Sequence, residues 1–142
     1  MFIKPSISLF QNLRSGDFAV LKFTIEKEYG MRAGSGKLAH IPFGQMNESG
    51  LQIVMESLKE FGKGEAGCEL EALTPSQRSK FHRQHKSVGI WLDSPTCLVL
   101  QAMRRVRGGG GVGKPEGRIV LDVPCANDAF LAALRQAFEI SD

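Results

Sequence analysis

The feature that most constrains the fold is a regular alternation of apolar residues in the second half of the chain. Val88, Ile90 and Leu92 recur at every second position, Asp-Ser-Pro-Thr occupies 93–96, and a second apolar run fills 97–103. A spacing of two puts successive side chains on opposite faces of a strand, and a turn sequence between two such runs predicts an antiparallel hairpin. At least part of the core must therefore be built on a β-sheet.

Signals for a further strand and a helix follow the hairpin. Glycines are dense over 108–117 and predict a bend, whereas 118–123 is mostly apolar and predicts a third strand. A helix is predicted over about 127–139, because four apolar residues fall on one helical face. These residues are Phe130, Leu131, Leu134 and Phe138.

Two more helices are predicted in the middle of the chain. Over 48–61 the apolar residues share one helical face, Asn47 or Ser49 can cap the start, and Gly62 can end the helix. Thr74 followed by Pro75 marks the start of a short helix over 75–84, since threonine caps helices well and proline suits the first turn.

The first third of the chain is less regular. Leu21, Phe23 and Ile25 alternate with polar residues, so 18–28 is predicted as a strand, with a helix as the open alternative. Between 31 and 44, three glycines and a proline interrupt the pattern and predict a long loop or an irregular crossing.

Together these elements predict an α+β fold in a single domain over 1–142. Strands joined by short or flexible connections pair antiparallel, so we expect a mainly antiparallel sheet with about three helices packed on it, covering one face. A chain of 142 residues can bury one real core but leaves little room for two.

The composition is that of a globular protein, and we expect it in the cytoplasm. Hydrophobic residues make up 42% and charged residues 23% of the chain, near the averages for soluble domains. No stretch approaches the about 18 apolar residues of a membrane span, and no secretory leader is recognisable. Cys68, Cys97 and Cys125 are an odd number without a CxxC pair, as expected for free thiols in a reducing compartment.

The net charge of +3 hides a strong asymmetry. Residues 47–72 hold six glutamates against two lysines, a net charge of −4, which leaves +7 on the rest. Such a separation can steer a charged partner toward one face, although a solvated acidic helix face is the simpler explanation. The glutamates are Glu48, Glu56, Glu60, Glu65, Glu69 and Glu71.

Motifs that imitate catalytic or metal sites are incomplete. The segment 108–114 has phosphate-loop spacing, but Pro115 stands where a hydroxyl must bind Mg²⁺, and a strand is predicted next instead of a helix. His82 and His85 have basic neighbours and no third ligand at zinc-like spacing. No serine occupies a nucleophile elbow. We therefore expect a protein that is not an enzyme, with no catalytic residue, metal or cofactor.

A basic cluster is formed by Arg104, Arg105 and Arg107 beside the glycines that start at 108. Such a strand end could contact phosphates, so a nucleic-acid-binding domain is the alternative hypothesis. Aromatic content of only 8% offers few platforms for stacking bases, and a solvated basic strand end is the simpler alternative. Trp91 is predicted on the face opposite Ile90, either under a second packing layer or exposed as an interface anchor.

The second half of the chain resembles bacterial contact-dependent growth inhibition immunity proteins. The resemblance covers about 73–139 and is carried by the order of short sequences and not by a catalytic signature. These sequences are Leu73-Thr-Pro-Ser, His85-Lys-Ser-Val-Gly-Ile-Trp-Leu, Leu98-Val-Leu-Gln-Ala-Met, Ile119-Val-Leu-Asp-Val-Pro and the helix that starts Asn127-Asp-Ala-Phe.

The resemblance implies a small cytoplasmic protein that binds the C-terminal toxin domain of such a system and covers its active site. Many of these toxins are nucleases, and tRNA is a frequent substrate, so a cognate toxin is expected to present a basic, phosphate-binding surface. The residues expected to contact the toxin are Glu56, Glu60, Glu65, Glu69 and Glu71, with Trp91, Arg104, Arg105 and Arg107 as further candidates.

Overall fold

The computed structural model describes residues 4–107 and 111–142. Seven strands and three α-helices are present in this part of the chain. They are β1 (Ser6–Asn12), β2 (Phe18–Ile25), β3 (Arg32–Ile41), α1 (Glu48–Lys59), β4 (Gly67–Cys68), α2 (Pro75–Gln84), β5 (His85–Ser94), β6 (Cys97–Arg105), β7 (Gly111–Asp122) and α3 (Asn127–Ile140). None of the described helices is long and apolar enough to cross a membrane.

All seven strands form one sheet in the order β4-β3-β2-β1-β5-β6-β7. Every neighbouring pair is antiparallel except β3 and β4, which run parallel. The first strand is central, since β1 pairs with β2 on one side and with β5 on the other. The predicted α+β class, with a mainly antiparallel sheet, is confirmed.

The main core lies between one face of the sheet and the helices α1 and α3. Leu9, Ile90 and Leu100 are fully buried on three adjacent strands and meet apolar residues of both helices. The apolar spacing that predicted these helices is thus used for packing: Val54 of α1 and Ala137 of α3 are 0% exposed. Asn47 caps α1 by accepting a hydrogen bond from the Ser49 N–H at 3.0 Å.

A smaller core covers the opposite face near β2 and β3, and α2 packs there. It contains Phe10, Leu21 and Leu38, with Phe81 of α2 packed against it. Phe10 and Phe81 meet edge to face with ring centroids 5.1 Å apart. The expectation that all three helices cover one face is therefore wrong, because Phe81 of α2 packs on the second face. The start of α2 is as predicted, with a capping box formed by Thr74 and Gln77.

The segment predicted as a loop or irregular crossing over 31–44 contains the ten-residue strand β3. Two of its glycines are explained by the geometry of the sheet. Gly36 has φ +70° beside the bulge where β3 slips relative to β2, and a Cβ on Gly34 would lie 2.7 Å from Cys68 Sγ. Gly36 therefore lies at a bulge, and Gly34 lies where β3 and β4 approach closely. Neither feature requires a loop.

The predicted bend over 108–117 is also wrong for the residues that are described, because β7 begins at Gly111. Residues 108–110 lie outside the described chain. The other expectations hold: 18–28 contains a strand, which ends at Ile25, and the helix alternative there is wrong. The hairpin, the strand over 118–123 and the three helices are confirmed.

Candidate interaction surfaces

The acidic residues gather around β3 and β4 at one end of the sheet. Ser35 Oγ donates to Glu65 O at 2.8 Å and Glu69 N–H donates to Gly36 O at 2.9 Å, so the acidic segment follows the strand edge. The five glutamates expected to contact a toxin are all exposed: Glu56, Glu60, Glu65, Glu69 and Glu71. We call the set near the edge, Glu60, Glu65, Glu69 and Glu71, the acidic edge.

Glu60 and Glu56 differ from the rest because they belong to α1 and its end. Glu60 pairs with Lys22 of β2 at 2.8 Å, and the hydrogen bond and charge of this lysine hold the pKa of the Glu60 carboxyl below its usual value. Glu56 lies one helical turn earlier and accepts a hydrogen bond from Gln52 at 3.1 Å. The pair with Lys22 neutralises part of the acidic edge, so its excess negative charge comes mainly from the other glutamates.

The basic cluster lies toward the other end of the sheet. Arg104 and Arg105 end β6, and four strands separate β6 from β4. Arg105 Nη1 donates to Arg83 O at 2.8 Å, which brings the C-terminal turn of α2 beside the cluster. Sequence reasoning missed Arg83 because its proximity depends on α2 packing across the sheet. The acidic and basic candidates therefore occupy opposite ends of the molecule.

Trp91 lies between these ends, on the face opposite Ile90 as predicted. It is half-buried, and the Arg118 guanidinium carbon lies 5.6 Å from the ring centroid. The ring lines an open cavity of about 380 Å³ whose other walls include Arg32 and Phe61. Trp91 is thus partly covered by a cation while part of its ring borders a concave surface.

His82 and His85 pack against aromatic rings, whereas His40 is exposed. His85 stacks on Phe81 with centroids 4.0 Å apart, and its Nδ1 donates to Phe81 O at 2.7 Å. Burial lowers the pKa of both His82 and His85. Across the described residues, no three His, Cys, Asp or Glu side chains are arranged to hold a metal ion.

Lys114, the lysine of the phosphate-loop-like sequence, binds the end of α3. Its Nζ donates to Ile140 O at 2.8 Å and to Asp142 Oδ2 at 2.9 Å. The bond to Asp142 raises the pKa of the lysine above its ordinary value. A cation at this position satisfies a helix carbonyl and complements the negative end of the helix dipole. The glycines 108–110 of the same motif lie outside the described residues.

Comparison with known proteins finds a solved structure with a similar fold but gives no information about function. No protein-family model matches the chain, and no curated protein matches it significantly in sequence. Among solved structures, the protein of unknown function NMB0488 from Neisseria meningitidis superposes with a TM-score of 0.74 at 14% sequence identity. The match covers 99% of this chain and 96% of that chain. At this identity the likeness concerns the fold alone.

Proposed function

We propose that this protein is an immunity protein of a contact-dependent growth inhibition system. It binds the C-terminal toxin domain, with a nuclease as the expected toxin, and neutralises it by covering its active site. The sequence resemblance over 73–139 supports this assignment. The acidic edge is the structural observation that favours it, since Glu60, which directly follows α1, and three glutamates of the 64–71 segment are exposed near one border of the sheet.

An exposed acidic border suits a nuclease as partner for a physical reason. A nuclease site that holds phosphates is positively charged, and a complementary negative surface accelerates the encounter and disfavours wrong partners. Affinity then depends on a few well-packed residues, for which the half-buried Trp91 is the candidate. The acidic edge therefore governs mainly the association rate, and Trp91 mainly the dissociation rate.

The first test is a pull-down from producer-cell lysate with the tagged protein, after nuclease treatment and at moderate salt. Mass spectrometry should find the C-terminal fragment of one large secreted toxin in stoichiometric amount. Association kinetics with that fragment then test the surface. The double variant Glu65→Lys and Glu71→Lys should lower the association rate at least about tenfold at low salt and reduce its salt dependence.

The matched control is Glu48→Lys with Glu139→Lys, which makes the same change in net charge at exposed positions of α1 and α3. It should leave the association rate within about twofold of the wild-type rate. Equal rates for both double variants would exclude the acidic edge as the docking surface. Failure to recover any toxin fragment would count against the immunity function itself.

One structural observation favours nucleic-acid binding as a second candidate function. The hydrogen bond from Arg105 to the backbone oxygen of Arg83 joins the end of α2 to the end of β6, so the main chain of Arg83 lies beside the cluster of Arg104, Arg105 and Arg107. Arginines grouped on one exposed end can contact several phosphates, and each contact releases counterions. This site does not overlap with the acidic edge, and the two functions can be tested separately.

The nucleic-acid hypothesis predicts a change in salt dependence. Alanine at Arg104, Arg105 and Arg107 should weaken RNA binding and flatten the slope of log affinity against log salt by up to about 3, one for each lost contact. The control replaces Lys27, Lys59 and Lys63, three exposed lysines elsewhere, with alanine. An unchanged slope in the arginine variant would exclude this site.

A further inference from the structure

The outer edge of β7 is an unpaired sheet border. β7 is the last strand of the sheet, and no described strand pairs with its other side. Val123 N–H donates to Thr96 O at 3.0 Å, which fixes the alternation of hydrogen bonding along the β6–β7 ladder. In an antiparallel pair, residues alternate between facing the partner and facing away. The backbone groups of Arg118, Val120 and Asp122 consequently point outward from the edge.

The side chains of the same three residues share one face. Arg118, Val120 and Asp122 pair with alternate residues of β6 and are all exposed. Val120 is 56% exposed, which is a high value for a β-branched residue within a strand. The edge thus presents a cation, an apolar residue and an anion in sequence, on a backbone that is free to form hydrogen bonds.

We propose that this edge pairs with the same edge of a second copy of the chain, antiparallel and with the two-fold axis at Val120. The register places Arg118 opposite Asp122 of the other copy and Asp122 opposite its Arg118. Val120 meets its own counterpart, and Ile119 lies opposite Leu121. Opposite charges and β-branched pairs directly across strands stabilise a sheet.

Neighbouring registers are less favourable because they either pair like charges or lose both ion pairs. Moving the axis to Arg118 sets two arginines opposite each other, and moving it to Ile119 sets Asp122 opposite Glu116. With the axis at Leu121, Asp122 lies opposite Val120 and Arg118 lies opposite Pro124, so neither charge has a partner. Sliding one β7 strand by a single residue relative to the other would place residues with outward-facing backbone groups opposite residues whose groups face inward, so this register cannot form. The charge pattern therefore specifies one register, and a second copy is the partner that supplies the complementary pattern.

The geometry also limits the assembly to a dimer. The interface is the same patch on both copies, so pairing consumes the β7 edge and leaves none for a third chain. The register of β6 against β7 shifts between Gln101 and Met103, which bounds the regular part of the edge before Arg118. At the opposite border of the sheet, β4 has only two residues and lies between Glu65 and Glu69 of the acidic edge, which repel the same edge of a second copy.

The test is the mass in solution, measured by sedimentation equilibrium over a range of concentrations at low salt. The wild-type chain should form a dimer. Arg118→Asp and Asp122→Arg should each raise the dimer dissociation constant at least about tenfold, because each places like charges opposite one another. The equimolar mixture of the two variants should form heterodimers, since the charges then match again at both positions.

Val120→Lys should also prevent self-association, while Val112→Lys, at another exposed position of β7, should not. Unchanged far-ultraviolet circular dichroism checks that each variant is folded. A wild-type monomer at every concentration would overturn the proposal, as would a dimer that tolerates both charge reversals or a mixture that stays monomeric. A monomer whose toxin capture is lost in Val120→Lys would assign the edge to the toxin instead and equally overturn self-pairing.

Discussion

At the scale of the residue, Gly117 decides whether β7 can reach its position. It is buried in β7, and a Cβ there would collide with the Ala102 Cβ of β6 and lie 3.0 Å from Ile140 Cγ2 of α3. The glycine density over 108–117 predicted a bend because glycine is common in turns. At Gly117 the missing side chain instead allows a strand and a helix to approach closely, which depends on neighbours distant in sequence.

Gly117→Ala should therefore destabilise the protein by about 1–3 kcal/mol, the usual cost of overpacking a core. Adding Ala102→Gly moves the methyl group from one strand to the other and should recover part of the loss. Urea unfolding of the two single variants and the double variant measures the coupling. Additive effects would show that Gly117 and Ala102 are not in steric conflict.

The elements were predictable where one periodicity dominates. The hairpin of β5 and β6 has clear alternation and a turn sequence, and α1 and α3 have apolar faces, so local sequence determines them. The strand β3 could not be predicted, because its glycines are explained only by the bulge against β2 and by Cys68. The face covered by α2 was also unpredictable, since it depends on where Phe81 packs and not on the helix signal itself.

At the scale of the element, α2 should make the stability of the protein depend on pH, because the helix contains His82 and is followed directly by His85. Burial lowers the pKa of His82, and the charges of His85 and Arg78 lower it further. For His85, burial outweighs the bond to Phe81 O, which raises the pKa. These two histidines therefore bind protons less readily in the folded protein than in the unfolded chain, where a histidine has a pKa of about 6.5.

Because the unfolded state gains protons first, the free energy of unfolding should fall as the pH decreases below about 6.5, until the pH passes the lowered pKa values of the folded state. The double variant His82→Gln with His85→Gln should reduce this slope in thermal unfolding between about pH 7 and pH 5. His40→Gln, at an exposed position, removes only the last and smallest cause that lowers the pKa of His85 and should keep most of the slope. An undiminished slope in the double variant would assign the pH dependence to other groups.

At the scale of the whole molecule, the sheet separates the two charged regions that the sequence contains. The asymmetry was visible from the count of glutamates over 47–72, but its placement was not. Only the strand order puts β4 at one border and β6 next to the other, and only the packing of α2 brings Arg83 to Arg105. Composition predicted the charges, whereas long-range pairing determines which of them can contact one partner.

One continuous sheet should unfold as one cooperative unit. Trp91, the single tryptophan of the chain, lies on β5 in the middle of the sheet and reports on its tertiary environment. Its fluorescence and the far-ultraviolet circular dichroism should therefore give superimposable transitions in urea. Separate midpoints would show that the β4–β1 part and the β5–β7 part of the sheet are independent units.

The central position of β1 has a consequence for synthesis on the ribosome. The strand emerges first, yet its partner β5 is in register from Ser6 opposite Trp91 to Asn12 opposite His85, more than 70 residues later. Until that part of the chain is translated, β1 can pair only with β2 and keeps an open edge. The nascent chain therefore completes its sheet late, and the interval before β5 appears is when it is most exposed to aggregation or to capture by chaperones.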